Sequence, residues 1–225
     1  ILTLNGSITS SSGSILENNG TIIVNNNAFL SAGGVPSTVS LISSDGNIVW
    51  NNTSSFKIPS DGSYKNVTIG ASTSCGSDFS VSGDFINNAT FTSSGTGNNI
   101  TFNGLSSQTI SGTGTNNFKK ITLNNSNGLQ LSSGTINIEE VMESTSGTIT
   151  QNGADIVLKS TVADNAGLIK VNNVSDYSYS SGSFNVERFY NASSNGWRMI
   201  SSPVKNSTLA DVDDEFIIRQ PLEEA

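Results

Sequence analysis

Apolar residues recur in this chain as short pairs with a single residue between them. A spacing of two places both side chains on the same face of a β-strand. The pairs recur every 7–12 residues, and turn-forming dipeptides such as Asp61-Gly62 and Ser133-Gly134 lie between them. The first 170 residues therefore predict an all-β chain of many short strands. Representative pairs are Leu2 and Leu4, Ile22 and Val24, Ile48 and Trp50, Val67 and Ile69, Phe79 and Val81, Ile100 and Phe102, Ile121 and Leu123, and Ile156 and Leu158.

Small polar residues dominate the rest of the sequence. Ser, Asn, Gly and Thr make up half of the 225 residues, and only 12% of the residues are charged. Such a composition also occurs in flexible linkers. Hydrophobic residues nevertheless contribute 34% of the chain, and they fall in regular pairs. We therefore favour a folded β-protein over a disordered one.

An internal near-repeat indicates which β-architecture this is. Residues 64–69 (YKNVTI) resemble residues 118–123 (FKKITL), and residues 100–102 (ITF) resemble residues 156–158 (IVL). Repeats at such distances are typical of solenoids, in which successive coils of two or three strands stack on each other. We predict a right-handed parallel β-helix over residues 1–175. Residues 176–225 are predicted to form a cap or the beginning of a following β-rich segment.

Paired asparagines recur along the predicted solenoid. Asn and Gly adopt the left-handed conformations that tight corners need, and Asn side chains also bond exposed backbone groups. We interpret these asparagines as coil corners or ladders, with a carbohydrate-binding polar face as the alternative. The clusters are Asn25-Asn26-Asn27, Asn51-Asn52, Asn98-Asn99, Asn116-Asn117 and Asn124-Asn125.

Composition and charge exclude several kinds of chemistry. The chain has no histidine, which excludes catalytic triads and imidazole metal sites. Its one cysteine, Cys75, lies in a predicted loop and excludes an internal disulfide. A net charge of −8 disfavours nucleic acid as a partner, and no stretch is long and apolar enough to span a membrane.

The C-terminal part of the sequence contains the few candidate binding residues. Aromatic residues concentrate there, and they predict either a cap on the open end of the solenoid or an aromatic platform for a sugar. Capping is the preferred interpretation. The candidate ligand-binding residues are Tyr177, Tyr179, Tyr190 and Trp197.

An acidic run near the end is a candidate calcium site. It offers oxygen ligands but lacks the glycine and the ligand spacing of an EF-hand, so a solvated acidic surface is preferred. No other cofactor is expected. The run consists of Asp211, Asp213, Asp214 and Glu215.

Carboxylates are too sparse in the first part of the chain to predict a catalytic site. A glycosidase needs two carboxylates near each other, whereas residues 1–138 contain only five acids, which are well separated in sequence except for Asp78 and Asp84. Glu139, Glu140 and Glu143 lie close together in sequence but form a weak candidate. We therefore expect no enzymatic activity from this chain.

Two phrases resemble one group of proteins. The first phrase consists of FNG at 102–104, QTISG at 108–112 and FKKITLNN at 118–125. The second phrase consists of VERFY at 186–190 and GWRMISSPV at 196–204. Both are similar to phrases in the repeat-rich, secreted surface proteins of Bacteroidetes that use the type IX secretion system. The resemblance implies a β-helical stretch of a longer exported protein, located outside the cell or on its surface. It also implies the secretion machinery of the outer membrane as a partner.

These observations together predict a structural role. The chain is expected to be a stalk-like or adhesin-like segment that makes weak, multivalent contacts with glycans or surfaces. One alternative is a carbohydrate-active β-helix enzyme, either a polysaccharide lyase or a hydrolase, or the spacer of such an enzyme. A second alternative is a cargo or subunit that binds a type IX secretion complex.

Overall fold

The computed structural model describes residues 1–5, 8–10, 15–17, 20–25, 30–32, 40–42, 46–52, 62–76, 78–93, 98–160 and 166–187. The chain divides into two compact units, Ile1–Phe189 and Tyr190–Ala225. All the described residues belong to the first unit. Most of the predicted C-terminal segment 176–225, from residue 188 onward, therefore lies outside the described residues.

Most of the described residues lie in strands, and a single-turn 3-10 helix, Val174–Asp176, is the one described helix. It is far too short to span a bilayer, and no described helix qualifies as a membrane span. In chain order the strands are β1 (Leu2–Leu4), β2 (Ile8–Ser10), β3 (Ile15–Glu17), β4 (Thr21–Val24), β5 (Leu30–Ala32), β6 (Ser40–Ile42), β7 (Asn47–Trp50), β8 (Gly62–Tyr64), β9 (Asn66–Ile69), β10 (Thr73–Cys75), β11 (Phe79–Val81), β12 (Phe85–Asn87), β13 (Thr90–Ser93), β14 (Asn99–Phe102), β15 (Gln108–Ser111), β16 (Thr115–Asn124), β17 (Leu129–Leu131), β18 (Thr135–Ser146), β19 (Ile149–Asn152), β20 (Asp155–Leu158), β21 (Leu168–Lys170), β22 (Tyr177–Ser181) and β23 (Phe184–Val186).

These strands form a parallel β-solenoid. Every described pair of neighbouring strands runs parallel, and no two neighbours in a sheet are consecutive in sequence. The chain therefore passes from sheet to sheet and returns to the first sheet one coil later. This arrangement confirms the predicted all-β, parallel β-helix architecture.

Each complete coil crosses three faces, most often with a separate strand on each face. Face I is the nine-stranded sheet β1-β4-β7-β9-β12-β15-β17-β19-β22. The other two faces share the long strands β16 and β18, which continue through the corner between them. The first halves of these strands pair with β13 and β20 and belong to face II, which also contains β10 and β23. The second halves pair with β14 and β21 and belong to face III, which also contains β8 and β11.

The coils differ in length, and the near-repeat in the sequence is not their period. On face I, Val67 pairs with Phe85, eighteen residues later, and Phe85 pairs with Ile110, twenty-five residues later. Val67 lies on face I, whereas its counterpart in the near-repeat, Ile121, lies on face III. The repeat therefore indicated the correct fold class but joins positions that are not equivalent in the structure.

The inward side chains form one continuous core. Strands show the alternating burial expected of an outer face in water and an inner face in the core. Phe91 lies at the centre of an aromatic cluster, with ring centroids 6.3 Å from Phe79, 5.3 Å from Phe85 and 5.6 Å from Phe118. The Phe79 and Phe85 contacts are edge-to-face, a favourable arrangement for aromatic rings.

Buried amides complete the core at the corners of the coils. Gln108 is fully buried, and its Nε2 donates to the carbonyl oxygens of Val81 at 2.9 Å and Gly83 at 2.6 Å. Its Oε1 accepts hydrogen bonds from the Gly104 backbone N–H at 2.8 Å and from Asn125 Nδ2 at 3.0 Å. A buried amide costs little when all its groups are bonded, so the corner tolerates a polar residue that faces inward.

Glycine is required where successive corners come closest. Gly147 has a φ of +90°, which L-residues with side chains rarely adopt. A Cβ atom at this position would also collide with the carbonyl oxygen of Asn125 in the preceding coil. The predicted role of glycine in the corners is confirmed at this site.

The sequence predicted that Cys75 lies in a loop, and this prediction is wrong. Cys75 is the last residue of β10, and its side chain is fully buried. The strand escaped recognition because it has no apolar pair: the other inward residue is Thr73.

We predict that Phe91→Ala lowers the free energy of unfolding by about 3–5 kcal/mol, because it leaves a cavity among three aromatic rings. Chemical denaturation followed by circular dichroism measures this loss. Leu168→Ala on the outer side of β21, where Leu168 is 47% exposed, is the control and should change stability by less than about 1 kcal/mol. Equal losses in both variants would contradict the described core.

Candidate functional site

The two predicted aromatic residues that the structure describes lie on the last strand of face I. Tyr177 and Tyr179 on β22 pair with Ile149 and Gln151 on β19, whose side chains are buried. The Tyr177 hydroxyl donates to Oε1 of Gln151 at 2.6 Å, and burial raises the pKa of Tyr177 to about 12, with a smaller contribution from Tyr179. The Tyr179 side chain is 61% exposed, and its hydroxyl donates to the carbonyl oxygen of Gly182 at 2.8 Å.

These tyrosines continue the inward columns of the solenoid. Phe184 on β23 is in register with buried Ile156, and its ring lies edge-to-face with Tyr177 at a centroid distance of 6.2 Å. β22 and β23 are the last described strands of their sheets, and no described strand of a further coil stacks on them. Their inward side chains therefore remain partly exposed. This geometry favours end packing over a flat sugar platform.

The other predicted site residues lie outside the described part of the chain. Within the described ranges, no three His, Cys, Asp or Glu side chains come together as a metal-binding group. The calcium candidate therefore stays a prediction. The residues concerned are Tyr190, Trp197, Asp211, Asp213, Asp214 and Glu215.

Four glutamates of the later coils are paired with lysines of the neighbouring coils. One column of alternating charges, which we call the charge ladder, consists of Lys119, Glu139, Lys159 and Glu187. Each of these residues comes directly after a residue that is in register with its counterparts on the neighbouring coils. Lys119 pairs with Glu139, and Lys159 pairs with Glu187. The ladder places opposite charges above one another, although pairs that remain partly accessible to water contribute only about 0.2–1 kcal/mol each.

The other two glutamates of the weak catalytic candidate are paired in the same way. Glu140 lies 3.6 Å from Lys120, and Glu143 lies 3.1 Å from Lys170. Glu143 also accepts a hydrogen bond from the Thr122 hydroxyl at 3.4 Å. The structure thus brings the three glutamates onto one coil, but each interacts with a cation from an adjacent coil.

Uncharged polar side chains form similar columns on the outside of the coils. In the asparagine ladder (Asn5, Asn25 and Asn51), Asn25 Nδ2 donates to Oδ1 of Asn5 at 2.8 Å, and Asn51 Nδ2 donates to Oδ1 of Asn25 at 3.3 Å. These columns confirm the ladder interpretation for the paired asparagines that they contain. Two further columns consist of Thr21, Asn47 and Asn66 on face I and of Thr92, Asn117 and Asn137 on face II.

A shallow depression of about 120 Å³ lies where face III turns into face I, and we call it the polar recess. Residues from three successive coils line it, and none of the lining residues is charged. Gln130 and Thr150 point outward from neighbouring strands of face I and form its floor. The polar side chains that line the recess are Ser107, Ser126, Asn127, Gln130, Thr148 and Thr150.

Sequence reasoning did not find the polar recess. Its lining residues are separated by about twenty positions and meet only through the coil register. One feature of the sequence could have pointed to this surface: Leu105 is an aliphatic residue that belongs to no apolar pair. In the structure its side chain is 94% exposed on the turn beside the recess.

Buried ionisable residues also occur inside the solenoid. Burial raises the pKa of Tyr64 well above its usual range, with a smaller contribution from Cys75. A neutral phenol and an enclosed thiol are poor candidates for reaction with external substrates, because both are fully buried.

Comparisons with protein families, with curated proteins and with solved structures found no match to this chain.

Two carboxyl groups of the last coils have lowered pKa values in the folded chain. The hydrogen bond from Lys159 is the largest cause for Glu187, and the hydroxyl and backbone N–H of Ser183 lower the pKa of Asp155. A lowered pKa means that the ionised carboxylate stabilises the folded state. This contribution is present above the ordinary carboxyl pKa of about 4 and is lost as the pH falls through the lowered values.

We therefore predict a melting temperature that decreases between about pH 5 and pH 3. The double variant Asp155→Asn and Glu187→Gln should lose less stability than the wild type over this interval, because both titrating groups are gone. Thermal denaturation across the pH series measures the difference. Identical acid-induced losses in the two proteins would show that these carboxylates do not contribute.

Proposed function

We propose that this chain is a non-catalytic segment of an exported cell-surface or secreted protein. In this proposal the solenoid is a stiff, stalk-like spacer that contacts glycans or surfaces weakly and at many points. The observation that carries the proposal is the arrangement of outward polar groups in columns along the solenoid axis. Such columns repeat similar chemistry from coil to coil, which suits multivalent contact more than a single deep pocket.

The length of the solenoid supports a spacer role. Face I contains nine strands, and neighbouring strands in a sheet lie about 4.8 Å apart, so this face extends about 38 Å. Backbone hydrogen bonds between coils run along this axis, as from Asn51 N–H to the carbonyl of Val24 at 2.8 Å. Continuous bonding of this kind resists bending and keeps the two ends apart.

The charge distribution agrees with a role without catalysis. A glycosidase or lyase needs carboxylates that are free to exchange protons with a substrate. The glutamates that come closest to such a group, Glu139, Glu140 and Glu143, are each held by a lysine of an adjacent coil. This pairing favours the structural proposal over the enzymatic alternative.

Export and surface location belong to the proposal through the sequence resemblance. The two phrases that resemble secreted surface proteins lie at 102–125 and 186–204. The proposed partners are accordingly the outer-membrane secretion machinery during export and glycans or surfaces afterwards.

Comparing one copy of the chain with many copies tests the proposed binding mode. We predict that beads carrying many copies of the full chain bind neutral glycan arrays or cell surfaces. The free monomer should bind about 10²-fold or more weakly, because each single contact is weak and the beads make many contacts at once.

Two results would contradict the proposal. The first is tight binding by the monomer with no gain on beads, which would indicate a single deep site. The second is the appearance of cleaved oligosaccharides when the chain is incubated with polysaccharides, which would indicate an enzyme. Beads coated with heat-denatured chain are the control for nonspecific adhesion.

A further inference from the structure

Four polar side chains of the polar recess differ from the bonded asparagines earlier on face I in having no hydrogen-bond partner among the described residues. Elsewhere on face I, Asn66 Nδ2 donates to Oδ1 of Asn47 at 2.7 Å, and Asn66 Oδ1 accepts from the backbone N–H of Asp84 at 2.7 Å. Within the described part of the chain, by contrast, the recess side chains of Ser107, Ser126, Gln130 and Thr150 make no hydrogen bond. The column of mutually bonded side chains is therefore interrupted here, and the free donors and acceptors face one concave surface.

Two highly exposed aliphatic residues lie on turns that are bonded to the recess. Asn127 Nδ2 donates to the carbonyl oxygen of Leu105 at 3.0 Å, and the Leu105 side chain is 94% exposed. The Thr148 hydroxyl donates to the carbonyl oxygen of Ser175 at 3.3 Å, next to Val174, which is 91% exposed. The two side chains thus offer apolar surface to solvent on either side of the polar recess.

The two aliphatic residues lie on opposite sides of the recess along the solenoid axis. Leu105 precedes β15 and Val174 precedes β22, and three strand spacings separate these strands on face I. The separation along the axis is therefore about 14 Å, which is comparable to the length of a short oligosaccharide.

The chemistry of these groups selects the ligand class. Hydroxyl and amide groups bond sugar hydroxyls in both directions, since they donate as well as accept. Leu105 and Val174 offer apolar contacts for the C–H faces of sugar rings. None of the lining residues is a cation that would pair with an acidic sugar.

We propose that the polar recess is a binding subsite for a neutral oligosaccharide. In this assignment Gln130 and Thr150 bond the sugar hydroxyls, and Leu105 and Val174 contact the outer rings. The assignment rests on the proposed glycan-binding function and specifies where on the solenoid such a contact is made.

The test uses the full chain with maltohexaose, cellohexaose and mannohexaose as neutral probes and an oligogalacturonate as the acidic probe. Saturation-transfer NMR detects weak binding to the free chain, and a titration gives the dissociation constant. We expect at least one neutral probe to bind and the oligogalacturonate to give no signal. Thr150→Val and Leu105→Ser should each raise the dissociation constant about fivefold or more, because each removes a direct contact.

Matched substitutions on the other faces are the controls. Thr135→Val changes an outward threonine of face II, and Leu168→Ser changes an exposed leucine of face III, each with the same chemistry as its recess counterpart. Both controls should bind the neutral probe as the wild type does. Circular dichroism of all four variants should match the wild type, since every substituted side chain is on the outside.

The outcomes separate the recess from the broader function. If the wild-type chain binds a neutral probe and the recess variants bind it equally well, the recess assignment is wrong while glycan binding stands. Preferential binding of the acidic probe would also overturn the assignment. If neither the free chain nor the multivalent beads bind any glycan, both the recess assignment and the proposed glycan contacts are wrong.

Discussion

In-register stacking of parallel coils is the constraint on which the rest of this structure depends. Because each strand bonds to the strand one coil before and one coil after it, every inward residue must pack on the equivalent residue of its neighbours. The column Ile22, Ile48, Val67 and Phe85 shows how closely this is followed on face I. A coil of eighteen residues, from Val67 to Phe85, and a coil of twenty-six residues, from Ile22 to Ile48, both keep this register.

The unusual composition follows from the same constraint. A coil offers few inward positions, so a modest share of apolar residues is enough to fill the core. The many turns then require residues whose side chains form hydrogen bonds with free backbone groups or that adopt the backbone conformations of tight turns. Gln108 shows the inner version of this role, with all its amide groups bonded across three coils, and Asn25 shows the outer version, bonded to the coils on both sides. Stacking also places Lys119 beside Glu139, which were twenty positions apart in sequence.

The alternation of apolar and polar residues made the strands and their inward side chains predictable from the sequence. The pairs at Ile48 and Trp50 and at Ile100 and Phe102 are inward residues of strands, as their spacing indicated. Register could not be predicted, because coil lengths vary and no local signal counts the residues in a turn. For the same reason the near-repeat was misleading and the polar recess was invisible: Ser107, Gln130 and Thr150 come together only once three coils are aligned.

Distances between spin labels on one outward column test the stacking most directly. Thr68, Ile86 and Ser111 lie three, four and five coils after Thr3 on face I. Each of these positions is paired with position 3 as a spin-labelled double-cysteine variant in a Cys75→Ala background. Double electron–electron resonance should give separations that increase by about 4.8 Å per coil, near 14, 19 and 24 Å. The increments should be equal although the last two coils differ by seven residues. Distances that instead increase with the number of intervening residues, or broad distributions, would contradict the solenoid.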